Sequence, residues 1–556
     1  MASSGDMLSI GISGLQASQR NLATAGHNIS NVNTDGFSRQ SVELATRNPI
    51  AVGNGFVGSG VNVVTVKRVY DDFLSAQVTA RTSTFNQLDT LQQLASGLDG
   101  LLANDDAGLN PALQSFFNAL QDAANNPTSI PARQVVILEA ETLVDRFASL
   151  DKRFEDLRNS VNDQLGAVTT EISNIASSVA NLNSSISQEM ARSGGQPPND
   201  LLDKRDVLIN QLAELVSVST VDGGDGSINI FIGNGQTLVL GNEANTIGTM
   251  RNEFDKSQLE VSTSSGATDY SISSQITGGK LGGLLAFREE IINPVQDSMG
   301  RLAIGLAATF NTQHQLGDDI NGNAGGLFFN AIDVSSPEVF SSSNNNPASG
   351  TVGVAIDDAT LLKASDYRLN YDGATFSLRR ISDDTIVDSG FAIGDFPRTV
   401  AADGLTLTLT GTAAAGDSFL IRPVRNAGND IDVAIGSAAE FAAATSGNAL
   451  GDNTNALALA AMQSKSLLGG NTETYQSAYA KLVATVGGAT SKAKVNADAQ
   501  AALLNRAVEE HQSVSGVNLD EEAANLVKFQ QAYQAAAQLI RISDEIFQTL
   551  INVTGR

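Results

Sequence analysis

The chain has 556 residues, which at roughly 150 residues per domain predicts three to four domains. It contains 34 basic and 60 acidic residues, and a surface with a net charge of −26 repels nucleic acid and anionic lipid, so we expect neither as a partner. Cysteine is absent and there are only three histidines, which excludes disulfides and argues against an enzyme, a metal site or a bound cofactor. No apolar run reaches the roughly 18–20 residues that span a bilayer, and the first twenty residues lack the pattern of a cleavable signal peptide.

Both ends of the chain carry a heptad pattern of apolar residues, which is typical of amphipathic helices that pack along a seam. The predicted seam residues of the first helix are Leu8, Ile12, Leu15, Leu22 and Ile29. Those of the last helix are Leu519, Leu526, Tyr533, Ile540 and Phe547. Because the two stripes match in length, they either pair with each other or pack into neighbouring subunits. Packing on the core of its own domain is the usual explanation of such a stripe, but it is weaker here because the two stripes lie at opposite ends of the chain and match in length.

The longest helical pattern lies between Leu143 and Ile186, where apolar residues alternate in steps of four and three with one stutter at Leu165. At 1.5 Å per residue it predicts a helix about 65 Å long. Pro127 and Pro131 are expected to interrupt the pattern before it, and Gly194-Gly195 and two prolines to end it. Asn199 or Asp200 is expected to cap the next helix, which runs to about residue 215.

Between the helical stretches the apolar period changes from helical spacing to alternation, as in antiparallel hairpins. Residues 31–70 are predicted as loops with short strands. From residue 455 to the end we predict helix, interrupted at Gly469-Gly470 and at Gly487-Gly488. The sequence therefore predicts an α+β multidomain protein, an elongated helical coiled-coil stalk formed by both chain ends with inserted antiparallel β domains. The predicted segments are terminal assembly helices at 1–60 and 507–556, a helical stalk domain at 61–215, 281–335 and 440–506, and inserted β domains at 216–280 and 336–439.

Two short motifs resemble ligand-binding loops, and neither has the context that such a loop needs. The glycines of Gly53-Asn-Gly55-Phe-Val-Gly58 match a dinucleotide fingerprint, but a strand-like run follows where a helix is required. The loop that starts at Asp319 begins like a calcium loop, but Ala324 and Asn330 stand where glycine and glutamate are needed. We interpret both as turns.

The terminal sequences resemble a known family. Residues 26–39, Gly-His-Asn-Ile-Ser-Asn-Val-Asn-Thr-Asp-Gly-Phe-Ser-Arg, resemble the N-terminal motif of bacterial flagellar rod, hook and hook-associated proteins, and residues 515–533 with 546–552 resemble their C-terminus. The resemblance is closest over 1–75 and 470–556. The helix at 290–314, the segment from His314 to Phe329, the stalk at 131–215 and the total length are similar to the hook-associated protein 1 family, the hook–filament junction proteins.

This resemblance implies an extracellular structural protein of the bacterial flagellum, exported unfolded through the flagellar type III apparatus. It implies a ring of copies of the chain between hook and filament, with hook protein and the next hook-associated protein as neighbours. It also implies an export chaperone that binds the C-terminal helix. We expect the terminal helices to be disordered in the free monomer because each has too few partners of its own. The alternatives are a hook or distal rod protein, a secreted adhesin and, last, an enzyme.

Overall fold

The computed structural model describes residues 4–52, 55–104, 108–265, 268–330, 338–447 and 451–554. The predicted boundary at residue 336 lies outside these residues. The helices are α1 (Ser4–Ser30), α2 (Asp72–Leu102), α3 (Leu109–Asn125), α4 (Ile130–Arg192), α5 (Asn199–Leu215), α6 (Gly279–Ala286), α7 (Asn293–His314), α8 (Ala427–Asp430), α9 (Thr454–Ala461), α10 (Tyr475–Ser515) and α11 (Leu519–Thr554). A π-helical turn, Phe287–Ile292, joins α6 to α7.

All strand pairs in the described part of the chain are antiparallel. The strands are β1 (Gln40–Thr46), β2 (Ile50–Val52), β3 (Gly55–Val57), β4 (Val61–Arg68), β5 (Val218–Asp222), β6 (Ile228–Ile232), β7 (Gln236–Leu240), β8 (Glu243–Ala244), β9 (Ile247–Arg251), β10 (Leu259–Ser265), β11 (Thr268–Ser271), β12 (Gly317–Asp318), β13 (Glu338–Ser341), β14 (Thr351–Ile356), β15 (Tyr367–Tyr371), β16 (Phe376–Arg380), β17 (Ile386–Phe391), β18 (Arg398–Val400), β19 (Leu405–Thr410), β20 (Ser418–Arg422) and β21 (Ala444–Thr445). The sheet orders are β1-β4, β2-β3, β5-β6-β7-β8, β11-β10-β9, β12-β21, β13-β20-β15-β16-β17 and β14-β19-β18.

The chain ends form two successive antiparallel helix pairs, α1 with α11 and α2 with α10. This confirms the predicted class, an α+β protein with a helical stalk made by both chain ends and inserted antiparallel β sheets. One detail of the prediction was wrong, because α10 continues through Gly487-Gly488 without a break. A Cβ on Gly487 would lie 3.3 Å from a carboxylate oxygen of Asp99 on α2. The partner helix therefore holds this stretch helical despite its low intrinsic propensity.

Helix α4 is longer than predicted. It has 63 residues, so at 1.5 Å per residue it is about 95 Å long rather than about 65 Å. Pro131 does not interrupt the helix but stands in its first turn, where a backbone N–H has no helical partner to lose. Ser129 caps this turn by accepting a hydrogen bond from the N–H of Ala132 at 3.3 Å.

A cluster of buried aromatic rings joins α3, α7 and α10 into one helical body. Phe310 of α7 lies at its centre, with ring centroids 4.8 Å from Phe328 and 5.4 Å from Phe116. Phe117 stacks on Tyr475 at 5.9 Å. All five side chains are at most 2% exposed, so the cluster links segments that are far apart in sequence.

The two inserted β regions contact each other through the loop between β9 and β10. In this loop the backbone carbonyl of Glu253 accepts a hydrogen bond from the N–H of Ser343 at 2.9 Å, and Arg368 lies over the ring of Phe254 at 5.1 Å. Asp255 of the same loop binds Arg422 at 2.6 Å. The loop therefore connects the first β region to the second.

A buried chain of charges fixes the second β region on the helical body. Arg425 binds Asp297 of α7 at 2.9 Å and Asp366 at 2.8 Å, and Arg422 binds the same Asp366 oxygen at 3.3 Å. Burial and the nearby Asp297 carboxylate raise the pKa of Asp366 to about 7. Burial opposes ionisation of Asp255 as well, but hydrogen bonds from Arg422 and Ser257 hold the pKa of Asp255 below its usual range.

Candidate assembly interface

Helices α1 and α11 contact each other through small residues of α1. A Cβ on Gly11 would lie 2.8 Å from a side-chain carbon of Ile540, and one on Gly14 would lie 3.7 Å from the Cβ of Ala536. Ala17 and Ala25 are buried along the same helix. Since the partner's residue number falls as that of α1 rises, the helices run antiparallel, and the glycines allow their backbones to approach closely.

The structure divides the ten predicted seam residues into two groups. The partly buried ones are Leu15, Leu22, Ile29, Leu526 and Ile540. The exposed ones are Leu8, Ile12, Leu519, Tyr533 and Phe547, with 37–51% of their surface accessible. Of these ten, the structure places Ile540 directly against α1, at Gly11. The predicted stripes therefore lie beside the small-residue contact, and a large part of each stripe is uncovered.

The apolar heptads reveal neither the contact face nor all of the exposed face. Gly11 and Gly14 face α11, and the buried Ser18 and Ala25 continue their spacing, a pattern of small residues that an apolar count overlooks. Further exposed apolar residues of the pair are Met7, Val527, Ile542, Ile546, Ile551 and Val553. A monomeric soluble protein rarely exposes so many large apolar side chains on two helices, and such surfaces mark interaction sites.

The N-terminal motif forms the turn that connects α1 to the strands. The buried side chain of Asn28 donates to the carbonyl of Gln40 at 2.9 Å and accepts from the N–H of Gln40 at 3.0 Å, so it replaces a strand partner for that residue. The side chain of Asn31 donates to the carbonyl of His27 at 2.9 Å. Gly36 has φ = +74°, and a Cβ there would lie 2.1 Å from Val207. The motif is therefore a folded joint that requires these residue types.

Helix α5 holds this joint with its acidic face. Asp203 accepts hydrogen bonds from the N–H of Ser38 at 3.1 Å and from Arg68 at 2.8 Å, while Asp206 binds Arg68 at 2.6 Å. Burial raises the pKa of Asp206. The predicted cap of this helix was wrong, because Pro198 occupies the N-cap and Asn199 is the first helical residue. The amide of Asn199 is already engaged, since it donates to the carbonyl of Val66 at 2.9 Å.

The C-terminal motif meets the same joint from the other side. The N–H of Arg39 donates to the carbonyl of Ser515, the last residue of α10, at 2.8 Å, and the Arg39 guanidinium binds Glu521 of α11 at 2.8 Å. The side chain of Asn518 accepts from the N–H of Asp520 at 2.9 Å and thereby satisfies the start of α11. Both terminal motifs therefore fold against each other where the helix pair leaves the body.

Neither the glycine motif at 53–58 nor the loop that starts at Asp319 has the structural context of a ligand-binding loop. Gly53 lies outside the described residues, and β3 and β4 follow it where a dinucleotide site would need a helix. The carboxylate of Asp319 accepts from the N–H groups of Asn321 and Asn323 at 2.7 and 2.8 Å, as in a turn. In the described ranges no three His, Asp or Glu side chains are grouped to hold a metal ion. No helix of the described residues is both long and apolar enough to cross a membrane.

Four family models match successive parts of the chain. The model of the flagellar hook-associated protein FlgK helical domain matches residues 95–329, and that of the flagellar hook-associated protein 1 D2-like domain matches 340–423. The ends match broader models: the flagella basal body rod protein at 8–37, and the flagellar basal body rod FlgEFG protein C-terminal region at 509–553. The terminal segments therefore match models of rod proteins, whereas the helical body and the second β region match models of hook-associated protein 1 domains.

Full-length relatives agree with these models. The chain is 36% identical to flagellar hook-associated protein 1 of Salmonella typhimurium and 35% identical to that of Escherichia coli, in each case over 98% of both chains. The flagellar hook junction protein FlgK from Burkholderia pseudomallei has a similar structure, with 27% identity and a TM-score of 0.72 over 79% of this chain and 100% of that one. This coverage does not favour the alternative of a hook or rod protein. By its body, its second β region and its full-length relatives, the chain belongs to the flagellar hook-associated protein 1 family of structural hook–filament junction proteins.

Proposed function

We propose that the chain assembles into the hook–filament junction through the exposed apolar faces of α1 and α11. The single observation that carries this proposal is the set of large apolar side chains left uncovered on the pair, from Leu8 at one end to Leu519 at the other. The intramolecular contact uses the small-residue face of α1, so it leaves the large side chains for other subunits. The proposed product is a ring of copies of this chain.

The exposed faces are large enough to drive association. Burying a large apolar side chain fully stabilises by about 1.5–3 kcal/mol, so completing the burial of a half-exposed one contributes about 1 kcal/mol. The exposed residues of the two helices together would then contribute on the order of 10 kcal/mol per subunit. Ordering entropy opposes this gain. Because burial by neighbours offsets the entropy cost of ordering, we propose that the helix pair becomes fully ordered only when neighbouring subunits cover it.

The other proposed partners follow from the position of such a ring between hook and filament. We propose that the chain is exported through the flagellar type III apparatus, lies outside the cell, and contacts hook protein on one side and the next hook-associated protein on the other. An export chaperone would cover the apolar face of α11 before assembly. We propose a structural role without catalysis. An adhesin would instead need ends that are stable without neighbours, and the uncovered faces argue against that reading.

The proposal is tested by placing a charge on the exposed face of α11. We expect Phe547→Asp to leave the unfolding temperature of the body unchanged, because this side chain is 49% exposed and far from the aromatic cluster. Cells that carry the variant as their sole copy should have hooks without filaments and should shed flagellin into the medium. Ile386→Asp, an equally exposed apolar position on the second β region, is the matched control and should swim normally. Normal filaments with Phe547→Asp would refute the proposal.

A further inference from the structure

The β ribbon that follows α1 has an uncovered apolar surface of its own. It consists of β1 paired with β4 and, towards its tip, β2 paired with β3. Phe56 near the tip is 77% exposed, and the cross-strand pair Ile50 and Val57 is 46% and 40% exposed. Phe56 is paired with Ala51 and so points to the opposite face from Ile50 and Val57. A two-stranded ribbon with apolar residues on both faces is marginally stable in water unless something covers it.

Helix α1 covers only one side of this ribbon. The N–H of Val61 donates to the hydroxyl of Ser13 at 3.2 Å, and a Cβ on Gly60 would lie 3.3 Å from the Cα of Ile10. Ser13 is two residues from Gly11, the residue that faces α11, which is a rotation of about 200° around the helix. The ribbon and α11 therefore flank α1 on different sides, and each has an outer side away from α1.

These contacts fix the level of the ribbon tip along the helix pair. Gly60 lies at the level of Ile10, and Phe56 is four residues further along the chain, which is up to about 13 Å of extended backbone. Ile540 faces Gly11, and about 13 Å of helix corresponds to roughly nine residues of α11. The tip thus lies near the level of residue 549 of α11, where Ile546, Phe547 and Ile551 are exposed.

Charge complements this match of apolar surfaces. Arg47, which pairs with Gly60 on the ribbon, is exposed. Helix α11 carries five acidic and two basic residues, and its C-terminal half holds Asp544 and Glu545 against the single basic residue Arg541. A basic, apolar surface and an acidic, apolar surface therefore lie on opposite flanks of one molecule at the same height. Two different complementary surfaces on one chain form a head-to-tail contact, which closes into a ring when the rotation between copies allows it.

We propose that the ribbon tip of one copy, with Ile50, Phe56 and Val57, docks on the exposed C-terminal half of α11 of a second copy, at Ile542, Ile546 and Phe547. This inference rests on the proposed function and names the lateral partner of its interface. Each subunit would contribute the ribbon to one neighbour and α11 to the other.

The absence of cysteine allows a direct test by disulfide formation. Cells that lack their own copy would co-express Phe56→Cys and Phe547→Cys chains, and isolated flagella would be oxidised and run on a non-reducing gel. We expect a dimer band from the mixed assembly and none from assemblies of either variant alone. The matched control is Phe56→Cys with Ile386→Cys, which should give no dimer. Val57→Cys with Ile546→Cys provides a second pair if the first reduces assembly.

The outcomes separate the two proposals. Filaments that form normally while both cysteine pairs stay uncrosslinked would overturn the ribbon contact and leave the terminal-pair interface standing. A dimer from Phe56→Cys alone would also overturn it, because like surfaces would then meet. A Phe547→Asp strain with normal filaments would instead remove the proposed function on which this inference rests.

Discussion

The two glycines of the α1–α11 contact allow a sharp test of how closely these helices approach. Replacing glycine by alanine inside a helix stabilises the helix by about 1 kcal/mol. At Gly14 the new Cβ would lie 3.7 Å from Ala536, an ordinary contact, so Gly14→Ala should keep this gain. At Gly11 it would lie 2.8 Å from Ile540, and overpacking of this kind costs about 1–3 kcal/mol.

The difference between the variants isolates the steric effect, because both gain the same helix propensity. We expect Gly11→Ala to be less stable in this region than Gly14→Ala by about 1–3 kcal/mol, which corresponds to a roughly 5-fold to more than 100-fold loss of protection. Hydrogen exchange of α1 and α11 peptides in assembled flagella measures this difference in protection between the two variants. Equal or greater protection in Gly11→Ala would show that the helices do not approach as closely as the structure has them.

Three further predictions concern the joints of the molecule. Asn28→Ala removes both hydrogen bonds to the backbone of Gln40 and should destabilise the base of the ribbon by about 2 kcal/mol, measured as faster hydrogen exchange of β1. Arg425→Met leaves Asp297 and Asp366 buried without their shared cation and should lower body stability by about 3–5 kcal/mol in urea unfolding. The pKa of Asp366 in the folded protein is raised to about 7, so its contribution to stability decreases as pH rises from about 4 to 7. Asp366→Asn should therefore make the unfolding temperature depend less on pH in this window. An unchanged slope of unfolding temperature against pH would contradict this.

Fold class was largely determined by local patterns in the sequence. Heptad stripes at both ends and alternating apolar residues between them predict helices and hairpins, because side-chain periodicity follows directly from backbone geometry. The N-terminal motif was also recognisable from the sequence. In its turn, the side-chain amide of Asn28 pairs with the backbone, and Gly36 adopts a left-handed backbone conformation. These signals are short-range, and each depends on neighbouring residues alone.

Contacts between distant segments decided what the sequence did not reveal. Gly487-Gly488 predicts a break, yet α10 continues there because α2 packs against it. Pro131 was expected to interrupt the pattern before the long helix, but it lies in the first turn of α4. The seam of the terminal pair follows small residues around Gly11 because close backbone approach, rather than apolar size, determines which face is buried. Apolar periodicity alone identifies an apolar helix face but does not identify the partner that covers it. Only the tertiary structure separated the contact made within the chain from the face left for its neighbours.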